Sequence, residues 1–184
     1  MKQEKMENDI KEYTLTVFCE NRTGLMARIV SIITRRHINI EGFSASQSSM
    51  DGIFKFTIVV ELTEERVRKL IGQIDKQVDV LKAFYYKNEE IIYQEIALYK
   101  VPTEAFYGTD DLETLVRKHN ARILQIEKEY IVIEKTGHTS ETELLLDELK
   151  NRGIFEFVRS GRVAIVKPME RLNNYLKSIE EVKS

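Results

Sequence analysis

One order of hydrophobic periods occurs twice in this chain, and it limits the folds available more than any other feature. Apolar residues alternate at period two, then recur at helical spacing, then alternate twice more around a tight turn, then return to helical spacing and a last strand. In the first pass Tyr13 opens a strand in which Leu15, Val17 and Cys19 alternate with Thr14, Thr16 and Phe18. Asn21-Arg22-Thr23-Gly24 breaks it. Met26, Ile29, Val30 and Ile33 then keep the spacing of a buried helical stripe. Asn39 to Ser48 reads as strand two, Met50-Asp51-Gly52 as a hairpin turn and Ile53–Glu61 as strand three, with Phe54, Phe56, Ile58 and Val60 in phase. Thr63 is placed to cap a second helix carrying Val67, Leu70, Ile71 and Ile74, and Val80–Tyr86 supplies strand four.

The second pass runs from Ile91–Val101 through a helix at Asp110–His119, a hairpin of Ala121–Glu127 and Tyr130–Lys135, a helix at Ser140–Asn151 and a strand at Phe155–Val166, bent at Gly161. The order βαββαβ, taken twice, predicts an α+β chain of two tandem ferredoxin-like units of about 75 residues each. The expected layout is a flexible tail over 1–12, a first unit over 13–88, a second over 91–167 and a final helix over 168–184, started by Pro168. Asn88-Glu89-Glu90 joins the units. In such a unit both helices cover one sheet face. The other face and the outer strands stay available, so pairing between copies through an edge strand is expected.

Composition removes several classes. Of the 184 residues 42% are hydrophobic and the net charge is −2, which argues against a disordered chain. Apolar runs are too short to span a membrane, and MKQEKMENDIKE lacks the apolar core of a signal peptide. A cytoplasmic protein is the expectation. One cysteine excludes an internal disulfide framework and a cysteine zinc cage.

Catalytic chemistry is poorly supported. Cys19 lies on the apolar side of its strand, where a buried structural thiol is the ordinary case. His119 and His138 match no two-histidine metal spacing, and His37 follows Arg35-Arg36 at a helix end, where it suits a capping role. No phosphate-binding loop or dinucleotide glycine fingerprint is present. The expectation is a chain with no catalytic residues, no metal site and no cofactor of its own. Base stacking on Phe54 and Phe56, as in RNA-binding modules of this topology, conflicts with their phase on the core face, and the near-neutral charge gives no electrostatic footprint. No nucleic acid or membrane partner is expected.

The informative segment is Glu20-Asn21-Arg22-Thr23-Gly24-Leu25-Met26. The first amides of a helix have no intrahelical partners and carry positive partial charge, so they can hold a carboxylate. Gly24 brings no side chain to block that approach, and Asn21 offers an amide to a ligand or to the turn itself. A tight turn alone explains Asn-x-x-Gly equally well. Strand two opens with Asn39-Ile40-Glu41-Gly42, which can close a pocket across a dimer.

The stretch ENRTGLMARIVSIITRRHINIEGFSA resembles the start of an ACT domain, the βαββαβ module that binds amino acids. It is more closely similar to the regulatory (small) subunits of acetolactate synthase, also called acetohydroxyacid synthase, which read E-N-x-x-G-x-L-x-R followed by N-I-E-S. Val78-Asp79-Val80-Leu81, Glu95 to Val101 and Arg159-Ser160-Gly161 resemble further blocks of that family, so the likeness covers about residues 13–167. His37-Ile38 stands where the family has Gly before N-I-E, and Gly42 where it has Ser.

The resemblance implies a non-catalytic subunit that activates a separate catalytic subunit holding thiamine diphosphate, Mg²⁺ and FAD. It also implies feedback inhibition by valine or another branched-chain amino acid bound between two ACT domains. Carried onto this chain, Asn21, Gly24 and the helix start through Met26 take the ligand carboxylate, Leu25 walls its side chain, and Asn39 and Ile40 of a neighbouring copy meet the amino group and aliphatic part. The alternative reading is a free-standing amino-acid sensor outside any enzyme complex. Against a transcriptional version of it, no helix-turn-helix segment accompanies the module.

Overall fold

The computed structural model describes residues 9–106 and 111–167, which divide into two compact units. One comprises the chain up to Ile92 together with the stretch from Ala164 onward; the other is Tyr93–Val163. The helix expected over 168–184 lies outside the described residues, as do the first eight positions of the expected tail. Strand β1 already begins at Lys11, inside the stretch expected as tail.

The first unit runs β1 (Lys11–Glu20), α1 (Leu25–Thr34), β2 (Gly42–Gln47), β3 (Ile53–Leu62), α2 (Glu64–Ile74) and β4 (Val80–Tyr86). Its sheet has the order β2-β3-β1-β4, with every neighbouring pair antiparallel. Leu15, Val17 and Cys19 from β1 meet Leu25, Ile29 and Ile33 from α1 and Val67, Leu70 and Ile74 from α2 in one buried cluster. Each large aliphatic side chain buried there contributes about 1.5–3 kcal/mol. Thr63 caps α2 as expected, its hydroxyl accepting from Arg66 N–H at 3.4 Å.

Two readings of this unit need correction. Strand two begins at Gly42 rather than Asn39, so Asn39 to Glu41 form its lead-in. The sheet face away from the helices is not free either: Thr14, Thr16, Thr57 and Val59 are all buried. Lys55, on this face, donates to the Ala164 carbonyl of the same compact unit, and burial lowers its pKa.

Past β4 the chain runs β5 (Ile91–Pro102), α3 (Asp111–Lys118), β6 (Arg122–Ile126), β7 (Tyr130–Gly137), α4 (Thr139–Lys150), β8 (Glu156–Arg159) and β9 (Val163–Val166), the second unit taking in β5 from Tyr93 and β9 only at Val163. Its order β6-β7-β5-β8 is the order of the first sheet over again, with β9 added on β5. Ala97, Tyr99, Val101, Ile131 and Ile133 pack against Leu115, Leu145 and Leu149. The expected last strand is in fact two, broken rather than bent around Gly161. The break has a cause. Ser160 exchanges two hydrogen bonds with Ile96, donating its N–H to the carbonyl at 2.8 Å and accepting the Ile96 N–H on its hydroxyl at 2.9 Å. A side chain thus replaces the next rung of the ladder, and the strand must restart.

Candidate functional site

The turn after β1 is built around Gly24, which caps α1 with φ 84° and ψ −6°, in the left-handed region. Glycine enters that region without steric cost, whereas other residues pay about 1–2 kcal/mol. Among the described residues no side-chain capping bond is found at this helix start, and a Cβ built on Gly24 meets no atom within 4 Å. The helix start therefore opens onto free space. Backbone bonds hold the turn from below: Asn21 N–H donates to the Gly52 carbonyl at 3.3 Å and Glu20 N–H to the Asp79 carbonyl at 3.1 Å. Arg28 on α1 pairs with Asp79, and Arg22 with Glu20 at 3.1 Å.

The six candidate residues fall into three groups. Asn21, Gly24 and Met26 are exposed at the turn, Met26 at 50%. Leu25 is 1% exposed and belongs to the core cluster, so its side chain anchors the helix start from inside the unit. Asn39 is exposed and Ile40 half-buried, but they stand elsewhere. Glu20 faces Ile53 on β3, whereas Gly42, just after Asn39 to Glu41, faces Val59. Six residue steps along β3 separate the two places, about 20 Å at ~3.3 Å per residue. Within one chain the two groups do not meet.

The two edges of this sheet differ. On β4 the Asp75 carboxylate, at the C-terminal end of α2, accepts Ala83 N–H at 2.9 Å and pairs with Lys82 at 2.7 Å, which blunts that edge. β2 is paired with β3 alone among the described strands. Ser48 N–H donates to the Ile53 carbonyl, which turns the even-numbered amides of β2 toward β3 and the Ala45 amide outward.

The other candidates behave as structural groups. Cys19 is fully buried, its thiol donating to the Phe54 carbonyl at 3.7 Å, and burial, assisted by the Asp79 carboxylate, pushes its pKa up to about 11. A thiol so placed stays protonated at neutral pH and is a poor nucleophile. His37 closes α1 through its backbone: at φ 52° its N–H donates to Thr34, and the next amide, of Ile38, to Ile33. That pair of bonds is the Schellman pattern, which favours glycine at the left-handed position. No group of three metal-ligating side chains occurs among the described residues, and no described helix is long and apolar enough to cross a membrane.

Sequence reasoning missed a buried cluster in the second unit. Glu95, 6% exposed, accepts from the Thr139 hydroxyl at 2.9 Å and faces Arg159 at 3.4 Å and Arg162 at 3.7 Å. The Arg162 guanidinium lies 3.7 Å from the Tyr93 ring centre, and the His138 ring packs edge-on against Tyr93 at 4.3 Å. The signal available was a glutamate in the core phase of β5, between Tyr93 and Ala97. Arg159 and Ser160 of the Arg-Ser-Gly motif therefore tie the β8–β9 turn to β5.

Comparison with known proteins agrees with these features. Residues 15–82 match the profile of the acetohydroxyacid synthase (AHAS) small subunit-like ACT domain, and residues 94–168 that of the small subunit of acetolactate synthase. The acetolactate synthase small subunit of Bacillus subtilis is 32% identical over 170 residues, covering 92% of this chain and 97% of that protein. A probable acetolactate synthase small subunit of Archaeoglobus fulgidus is 30% identical over 158 residues, covering 85% of this chain and 97% of that one. The crystal structure of the acetolactate synthase small subunit from Thermotoga maritima superposes with a TM-score of 0.79 at 25% identity, covering 86% of this chain and 99% of that one. With its tandem ferredoxin-like units, the first an ACT domain, this chain belongs to the family of acetolactate synthase small subunits, the regulatory chains of that enzyme.

Proposed function

We propose that this chain binds and activates the large catalytic subunit of acetolactate synthase and confers inhibition by valine or another branched-chain amino acid. The thiamine diphosphate, Mg²⁺ and FAD of that reaction would be held by the catalytic subunit, and this chain would contribute no catalytic group. The observation that carries the effector site is the uncapped, open helix start at Gly24, where a ligand carboxylate can accept from the Met26 and Ala27 amides. The exposed Met26 side chain borders the aliphatic part, and the Asn21 side chain is within the same turn.

A second copy completes the pocket. Two β2 strands paired antiparallel about a two-fold axis would bring the Gly42 end of one beside the Gln47 end of the other. The Gln47 end is also the end at which the Asn21–Gly24 turn stands. Asn39 and Ile40 of the second copy then reach the turn that they cannot reach in their own chain. The open edge of β2, against the blunted edge of β4, favours this pairing. An effector bound between two copies favours one arrangement of them, and it shifts activity only by its difference in affinity for the two states.

Titration calorimetry with valine, leucine and isoleucine, together with turnover of the catalytic subunit with and without this chain, tests the proposal. Saturable binding of one of them, with raised turnover that the same amino acid lowers, supports it. A chain that neither binds them nor changes turnover contradicts it.

A further inference from the structure

We infer that the second unit carries a separate site for a small oxyanion, a phosphate or carboxylate group, held by Lys135 and Lys118. These two line a cavity of about 190 Å³ with His119, Asn120, Glu141 and Leu144. Lys135 comes from the middle of the sheet, on β7, and its side chain is only 7% exposed. Its ammonium has three N–H donors to satisfy and opens into this cavity. The acidic oxygen facing it is Glu141 Oε1 at 3.7 Å, outside direct hydrogen-bond reach. Glu141 is not free to swing closer, since its other oxygen accepts the His138 N–H at 2.7 Å and so closes the start of α4.

Among the residues lining the cavity, two lysines face one carboxylate, that of Glu141. Lys118 Nζ and His119 Nε2 both lie 2.8 Å from a single oxygen, Glu148 Oε2. Lys118 keeps two further donors after that bond. Two lysines with donors to spare thus share one cavity, while both neighbouring carboxylates are already engaged. Water takes about 30 Å³ of liquid volume, so the space accommodates a tetrahedral oxyanion. Such a group would bridge the two ammonium groups by charge-assisted bonds, with Leu144 at the rim. The site is independent of the amino-acid turn, because every residue in it belongs to Tyr93–Val163.

Calorimetry on the full chain with inorganic phosphate and with acetate, sodium chloride matching the ionic strength, tests this. Saturable binding of phosphate, of acetate or of both is expected, and which of them binds separates a phosphoryl from a carboxylate ligand. Lys135→Met should weaken it by about tenfold or more, and Lys118→Met, a change at an exposed side chain that leaves folding intact, by a smaller factor. Heats no different from chloride would overturn the assignment. So would undiminished binding in Lys118→Met together with, if it folds, Lys135→Met.

Discussion

Asn21 and Asn39 stand at opposite ends of one sheet: the first follows Glu20, which faces Ile53, and the second leads into Gly42, which faces Val59. One chain therefore cannot offer both to the same small ligand. The effector pocket proposed above must be shared between two copies, and its occupancy is tied to their association.

Blocking the outer edge of β2 should separate the copies and abolish effector binding together. Ala45 is exposed and its amide points away from β3, so Ala45→Pro removes an outward donor without breaking the ladder within the chain. Light scattering should show the particle mass halved, and valine should give no saturable heat. A variant that stays dimeric and still binds valine would contradict β2 as the shared edge.

His37 occupies a left-handed position that this chain fills with a residue other than glycine. Its side chain is exposed, so replacing it removes little packing. His37→Gly relieves about 1 kcal/mol of backbone cost, partly offset by the greater freedom of glycine in the unfolded chain. A net gain on the order of 0.5 kcal/mol is expected in urea unfolding. A loss of stability would show that the imidazole makes a contact of its own.

Cys19 should resist thiol reagents in the folded protein. Burial raises its pKa to about 11, so at pH 8 only a very small fraction is thiolate, and that fraction is shielded. Ellman's reagent should react at once in denaturant and only over hours without it. Fast labelling of the native chain would mean that β1 opens readily.

Glu141 links pH to the start of α4. The His138 N–H chiefly, and the Lys135 charge after it, hold its carboxyl below the ordinary range against the opposing effect of burial. A depressed folded pKa gives stability that is present above the unfolded value, about 4.3, and is lost as pH falls through the folded one. Wild type should therefore lose melting temperature below about pH 4.3 more steeply than Glu141→Gln. Parallel acid limbs would count against this bond as a source of stability.

Much of this fold was legible in the sequence because one side of each element is buried. The period-two run at Leu15, Val17 and Cys19 and the helical stripe at Ile29 and Ile33 each gave their element directly. Reading strand two from Asn39 failed because alternation continues through residues that only lead into the ladder. The burial of Thr14, Thr16 and Thr57 was not legible, since threonine suits an exposed strand face equally well and only the tertiary structure decides. The turn at Gly24 could be found from residue types. The separation of Asn21 from Asn39 could not, because it follows from strand register, and register is fixed by pairing across the sheet. The Lys135 cavity escaped for the same reason, its residues coming from β7, α4 and the end of α3.

Gly24 offers the most direct test of the account. Because no atom lies near its missing side chain, Gly24→Ala tests backbone strain alone, and Gly24→Asp adds a carboxylate at the helix start. Valine calorimetry on wild type and both variants, with activation of the catalytic subunit measured alongside, separates the two effects. Valine should bind wild type, bind Gly24→Ala more weakly and fail to bind Gly24→Asp, while all three still activate. Valine affinity in Gly24→Asp equal to wild type would contradict the assignment of the effector carboxylate to this turn.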